Sequence, residues 1–83
     1  MRNVADLQED SLSRSAVAGI VLLLLDYSAF EAQRFAQETT PDQRAAIIRA
    51  AKWPIRDQAR ESVQHHVDRI RAQRNLERLR QAV

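Results

Sequence analysis

Residues 16–25 read AVAGIVLLLL, ten consecutive positions that carry no polar or charged side chain. A helix made from them is apolar on every side, so most of its surface has to be covered by other protein. The run is too short to cross a membrane, because a spanning helix needs about 20 apolar residues. It also follows an acidic segment, whereas an export signal begins with positive charge. We therefore interpret it as the buried helix of a cytoplasmic protein that makes no membrane contact.

The residues on both sides of this run also favour helix. Ala, Leu, Arg, Gln and Glu dominate the 83-residue chain, which has one Gly, two Pro and no Cys. The chain therefore has almost no turn chemistry for β-hairpins and no cysteine for a disulfide. The first helix is predicted to begin at Ser11 or Ser13, which both suit a helix cap, and to continue to about Gln37. Residues 1–10 either fray or form a short helical turn.

The second helix has the clearest start signal in the chain. Thr40 suits the cap, Pro41 the first helical position and Gln43 the return hydrogen bond of a capping box. Trp53-Pro54 then interrupts the helical pattern, because proline has no amide hydrogen and clashes with the preceding turn. We expect a short second helix from residue 41, with a kink or a restart near 50–54.

The third helix is predicted to start at Pro54 and to continue to the end of the chain. Its apolar residues fall on two opposite faces at about 100° per residue. The first face comprises Ala59, Val63, Val67 and Ile70, and the second comprises Ala72, Leu76, Leu79 and Val83. One straight helix would present these faces to opposite neighbours. Either the helix breaks near 71–75, or its last turns pack elsewhere.

Together these patterns predict an all-α fold of about three helices: a long apolar helix, a short one and a long kinked one. Residues 1–83 form a single domain, in which 71–83 is a candidate for a separate basic helical arm. One helical hairpin covers only part of an all-apolar helix, so we expect a second copy of the chain to complete the bundle as a homodimer. The predicted self-association surface comprises Val17, Ile20, Val21, Leu24, Leu76, Leu79 and Val83.

Charge is unevenly distributed along the chain. The whole chain has a net charge of +2, with 13 Lys and Arg against 11 Asp and Glu. Residues 52–83 alone contain eight basic and four acidic residues, a net charge of +4. Arginine and tryptophan are common anchors of protein interfaces. The predicted partner-binding surface comprises Trp53, Arg56, Arg60, Arg71, Arg74 and Arg78.

Nothing in the sequence indicates catalysis, a metal or a cofactor. His65 and His66 are adjacent, so on a helix their side chains diverge by about 100° and do not readily chelate one ion. Gly19 stands alone, so there is no glycine-rich phosphate loop, and no nucleophile lies in a pattern with a base. We expect a protein that is not an enzyme and binds no cofactor.

The leading functional hypothesis is a small non-catalytic helical regulator of bacterial or phage type, which binds a larger protein as an adaptor or inhibitor. One alternative is a nucleic-acid-binding regulator that uses the arginines between Arg56 and Arg80. Asp68 and Glu77 dilute that basic face, which favours the protein partner. A weaker alternative is a structural subunit of a larger assembly.

Overall fold

The computed structural model describes the backbone of residues 4–82 and the side chains from residue 11 onward. These residues form four α-helices in the order α1 (Val4–Leu24), α2 (Ala29–Gln37), α3 (Pro41–Ala50) and α4 (Arg56–Ala82), with no strand among them. The predicted all-α class is confirmed, whereas the predicted number of three helices is wrong. None of the four helices combines the length and the apolar character that a membrane span requires.

The extra helix arises because the predicted first helix is divided in two. The first of the two parts, α1, begins at Val4, ahead of the predicted starts at Ser11 or Ser13, and ends at Leu24. Asp26 then takes a left-handed backbone conformation with φ of 56°, which aspartate tolerates better than most residues. Ser28 caps the next helix, since its hydroxyl accepts a hydrogen bond from the Glu31 amide at 3.1 Å. The chain therefore turns between the two helices where the sequence composition suggested continuity.

The predicted start of the second helix is confirmed at α3. The Thr40 hydroxyl accepts from the Gln43 amide at 3.2 Å, and the Gln43 side chain accepts from the Thr40 amide at 3.0 Å. Just before this capping box, the buried Thr39 donates its hydroxyl hydrogen to the Ala36 carbonyl at 2.6 Å. These bonds satisfy both ends of the three-residue connection from α2 to α3, and so fix the direction in which α3 leaves.

The Trp53-Pro54 interruption separates two helices and kinks neither of them. α3 ends at Ala50, and α4 begins at Arg56 rather than at Pro54. The first backbone bond of α4 runs from the Ala59 amide to the Ile55 carbonyl at 3.0 Å. α4 then continues without a break through Asn75 to Ala82, so the apolar residues of its last turns lie on the surface instead of packing on another helix.

α1 lies at the centre of the bundle and packs against the other three helices, while α3 also packs on α4. The first of the two predicted apolar faces, formed by Ala59, Val63, Val67 and Ile70, is the one that α4 turns to the core, since all four residues are buried. The core cluster comprises Val17, Val21, Ala32, Phe35, Ala36, Ile47, Ala50, Val63, Val67 and Ile70. A single chain thus buries one side of the apolar helix without a second copy.

One buried residue of α3 was not singled out from the sequence. Arg44 is 2% exposed, and its Nη1 donates a hydrogen bond to the Thr39 carbonyl. Thr39 in turn is bonded to the end of α2, so the guanidinium ties α3 to the preceding helix from inside the bundle. Arginine is rarely buried unless it is paired, and the chain contains twelve arginines that look alike in sequence.

Candidate interaction surfaces

The described surface carries a large number of bulky apolar side chains for so small a chain. The exposed ones are Leu12, Leu22, Leu23, Phe30, Trp53, Ile55, Leu76 and Leu79. They lie mainly at three places: the outer side of α1, the segment between α3 and α4, and the last turns of α4. Single exposed apolar residues are ordinary, whereas grouped ones indicate a surface that binds something.

The first group is the α3–α4 corner, defined as Trp53, Ile55 and Arg56. Trp53 and Ile55 are 53% and 54% exposed, in the segment that Pro54 keeps out of both helices. Next to them, the Nη2 atom of Arg56 donates to the Leu23 carbonyl at 3.2 Å. That carbonyl belongs to the last turn of α1 and has no partner within its own helix. The bond therefore anchors the corner to α1.

The arginines predicted to bind a partner are not equally available. Arg71 places its guanidinium carbon 4.9 Å from the centre of the Tyr27 ring. Arg74 donates to Glu38 at 2.7 Å and lies 5.3 Å from the centre of the Phe35 ring. Both residues therefore hold α4 against α2 and the segment that precedes it. Of the others, Arg60 and Arg78 are exposed on α4.

An open cleft of about 350 Å³ lies between α2 and α4. Four arginines and two glutamates line it, together with an aromatic ring and an amide: Glu31, Arg34, Phe35, Glu38, Arg71, Arg74, Asn75 and Arg78. The excess of positive charge suits an anionic group. The carboxylate of Glu38 already occupies Arg74, which reduces the charge left for a ligand.

Tyr27 packs in the segment between α1 and α2. Its ring meets Phe35 edge to face, with the ring centres 6.5 Å apart. Burial raises the pKa of Tyr27, and the nearby positive charge of Arg71 partly opposes the rise. The neutral phenol is thus the form that this packing favours.

His65 and His66 are neighbours on α4, with ring centres 5.8 Å apart. Burial lowers the pKa of His66, and the positive charges of His65, Arg69 and Arg49 lower it further. Among the side chains that the structure describes, no three His, Cys, Asp or Glu residues come together as ligands of a metal ion.

The residues predicted for self-association are dispersed by the fold. Val17 and Val21 are fully buried in the core of the single chain, so a second chain cannot reach them. Ile20 and Leu24 are half-buried against the same core. The other predicted residues are Leu76 and Leu79, which are exposed, and Val83, which lies outside the described residues.

Sequence reasoning did not single out the outer face of α1, where Leu12 and Leu23 are about two-thirds exposed. A signal was present, because Leu12, Ala16, Gly19 and Leu23 follow one another at spacings of four, three and four residues, as on one side of a helix. The all-apolar run concealed this spacing, since every direction around it looked equally apolar.

Comparisons of the chain with protein-family models, curated proteins and solved structures give no match. Over residues 4–82 the fold is a small four-helix bundle, with a compact core and apolar side chains grouped on its outside. The surfaces described above are therefore the basis on which a function can be proposed.

Proposed function

We propose that this protein is a non-catalytic helical regulator that binds a larger protein, as an adaptor or inhibitor, through the α3–α4 corner. The observation that supports this proposal is the exposure of Trp53, the only tryptophan of the chain. A tryptophan that is half-exposed beside an exposed isoleucine is the kind of anchor that dominates the binding energy of protein interfaces.

The position of the corner in the fold adds to this argument. Arg56 is bonded to the end of α1, and Pro54 restricts the backbone between the two apolar side chains. A surface that is already ordered loses less conformational entropy when a partner binds. Lys52 and Arg56 flank the apolar pair with positive charge, so the proposed partner has an apolar pocket with an acidic rim.

A second candidate function is binding to nucleic acid along the outer side of α4. The arginines around the cleft between α2 and α4 favour it, together with the exposed Arg69 and Arg80. Against it, the contacts of Arg71 and Arg74 within the chain would have to be given up, or shared, on binding phosphate. We therefore rank it below the protein partner.

The experiment that tests the leading proposal compares three versions of the full chain as bait in lysate of the source cell. These are the wild type, Trp53→Ala, and Leu79→Ala as a matched control. Leu79 is also exposed, but it lies 24 residues along α4 from Ile55, a distance of about 36 Å. We expect one specific protein that survives nuclease treatment, that Trp53→Ala loses and that Leu79→Ala retains.

Two outcomes contradict the leading proposal. Equal capture by the wild type and Trp53→Ala would exclude the α3–α4 corner as the docking surface. Captured material that disappears with nuclease would favour the second candidate. In that case Arg78→Gln with Arg80→Gln should weaken binding to a random duplex and flatten its dependence on salt, because phosphate contacts release counterions.

A further inference from the structure

The outer face of α1 is uncovered from Leu12 to Leu23. We define the outer seam as Leu12, Ala16, Gly19 and Leu23, which lie on one side of the helix. Leu12 is 68% exposed and Leu23 67%. Beyond the two adjacent residues and the backbone of its own helix, nothing lies within 4 Å of a Cβ atom added at Gly19. No element in the described part of the chain therefore packs on the middle of the seam.

The outer seam differs from the other exposed helix surfaces because it carries no charge. The only charged residue between Ser11 and Leu25 is Arg14, about 140° around the helix from Gly19. By contrast, the exposed side of α4 carries charges of both signs, such as Glu61 and Arg69. A helix face that stays in water is normally polar, so an uncharged one indicates a surface that another uncharged surface covers.

The geometry points to a second copy of the same chain, packed antiparallel through the outer seam of each. If residues whose numbers add up to 35 lie opposite one another, Leu12 meets the partner's Leu23, and Ala16 meets the partner's Gly19. The large residues then fill both ends, while the small residues at the centre let the backbones approach closely. A two-fold dimer requires this kind of self-complementary surface. The inference does not depend on the function proposed for the α3–α4 corner.

Charge at the two ends of the seam favours the antiparallel arrangement. The sequence before it contains Asp6, Glu9 and Asp10, whereas Arg56 is anchored at Leu23 at the other end. Antiparallel helices direct the start of one α1, where the sequence is acidic, toward the end of the other α1 that carries Arg56, and they oppose the helix dipoles favourably. Parallel helices would place the two acidic segments side by side. The surface that matches the outer seam in shape and charge is therefore the outer seam of a second copy of the chain.

The first test is sedimentation equilibrium on the full chain up to about 500 µM. We expect a monomer–dimer equilibrium, which Gly19→Leu shifts toward monomer by at least about tenfold in Kd. The same substitution should raise the thermal midpoint of the monomer, because leucine favours helix over glycine and the space around Gly19 is open. A weaker dimer together with a more stable monomer would show that Gly19→Leu acts on dimerisation and does not unfold the chain. Ala45→Leu, on the exposed side of α3, is the control that should leave Kd unchanged.

The second test determines the register. Leu12→Glu and Leu23→Lys should each weaken dimerisation when studied alone. Mixed together, they should associate again, because each glutamate then faces a lysine of the other variant while the remaining leucines still meet. In a parallel pairing glutamate and lysine never meet, and mixing only relieves like-charge repulsion. The two variants should then associate less well with each other than either does with the wild type, whereas the antiparallel pairing predicts that they associate better. Because the chain has no native cysteine, oxidation of a mixture of Ala16→Cys and Gly19→Cys should also yield the mixed disulfide in preference to either homodimer.

Three outcomes would overturn the inference. A wild-type chain that stays monomeric to about 500 µM has no second copy on the outer seam. A dimer that is indifferent to Gly19→Leu uses another surface. Growth in mass beyond a dimer contradicts the closed two-fold arrangement and favours an open assembly.

Discussion

Arg74 of α4 donates a hydrogen bond to Glu38, at the end of α2, across 2.7 Å and 36 positions of sequence. The same guanidinium lies over the ring of Phe35, one turn earlier in α2. Charge pairing and ring contact therefore act on one side chain, in a region that is only partly open to water. This residue joins the basic part of α4 to the bundle.

Arg74→Ala is expected to reduce the free energy of unfolding by about 1 kcal/mol, the sum of a partly exposed ion pair and a cation–π contact. Arg78→Ala, one turn further along α4, should change it by less than about 0.5 kcal/mol. Urea denaturation of the two variants checks this difference. Equal effects would mean that Arg74 contributes no more than an ordinary surface arginine.

Asp26 provides a test of the turn between α1 and α2. Asp26→Val should destabilise the fold by about 1–2 kcal/mol, because a branched side chain is strained at φ of 56°. Asp26→Gly should be neutral or stabilising, since glycine adopts this conformation freely. Both variants lose the carboxylate, but only the valine variant is strained. A difference between their thermal midpoints therefore measures the backbone strain. A stable valine variant would contradict the left-handed turn.

Tyr27 is the only tyrosine, so its ionisation can be followed by ultraviolet absorbance. The phenol of Tyr27 in the unfolded chain should ionise near pH 10. Because burial raises the pKa of Tyr27, the ionisation midpoint of the folded chain should lie above that value. The unfolded state then loses its proton first. The contribution to stability is present below pH 10 and is lost as pH rises through the folded pKa. Arg71→Gln should raise the midpoint further, because it removes the charge that opposes the shift.

His66 gives the opposite dependence at lower pH. Its pKa is lowered in the folded chain, chiefly by burial, so the unfolded state binds a proton first as pH falls below about 6.5. The stability that neutral His66 provides is present above that pH and is lost as pH falls through the folded pKa. Denaturation at pH 7.5 and pH 5 should show this loss in the wild type. A smaller loss is expected in His66→Gln, and an equal one would exclude His66 as the cause.

The inner and outer apolar residues should respond differently to truncation. Ile47→Ala removes a fully buried side chain and should cost about 2–5 kcal/mol in unfolding free energy. Leu76→Asp with Leu79→Asp changes two exposed positions and should cost less than about 1 kcal/mol. Circular dichroism melts of both variants test this contrast. If the double variant also altered neither oligomer size nor partner binding, the outer face of α4 would not be an interface.

The parts of the fold that were predictable from sequence have local causes. The capping box at Thr40 depends on residues within one turn, and the apolar spacing from Ala59 to Ile70 defines one side of a single helix. Both could be read without knowledge of the neighbours.

The break at Asp26 had a local signal too, since Ser28 and Glu31 have the spacing of a helix start. It was hidden by helix-favouring residues on both sides. By contrast, the burial of Arg44 and the pairing of Arg74 with Glu38 depend on how the helices pack together, so no pattern within one segment of the sequence could reveal them.

The exposure of Trp53 also determines what the tryptophan fluorescence of this protein can report. As the only indole in the chain, it is already half in water in the native state, so its emission should shift little when the bundle unfolds. Enclosure in the pocket of a partner would remove that water and move the emission to shorter wavelength. The emission wavelength of Trp53 should therefore report the docking of a partner at the α3–α4 corner and change little when the chain folds or unfolds.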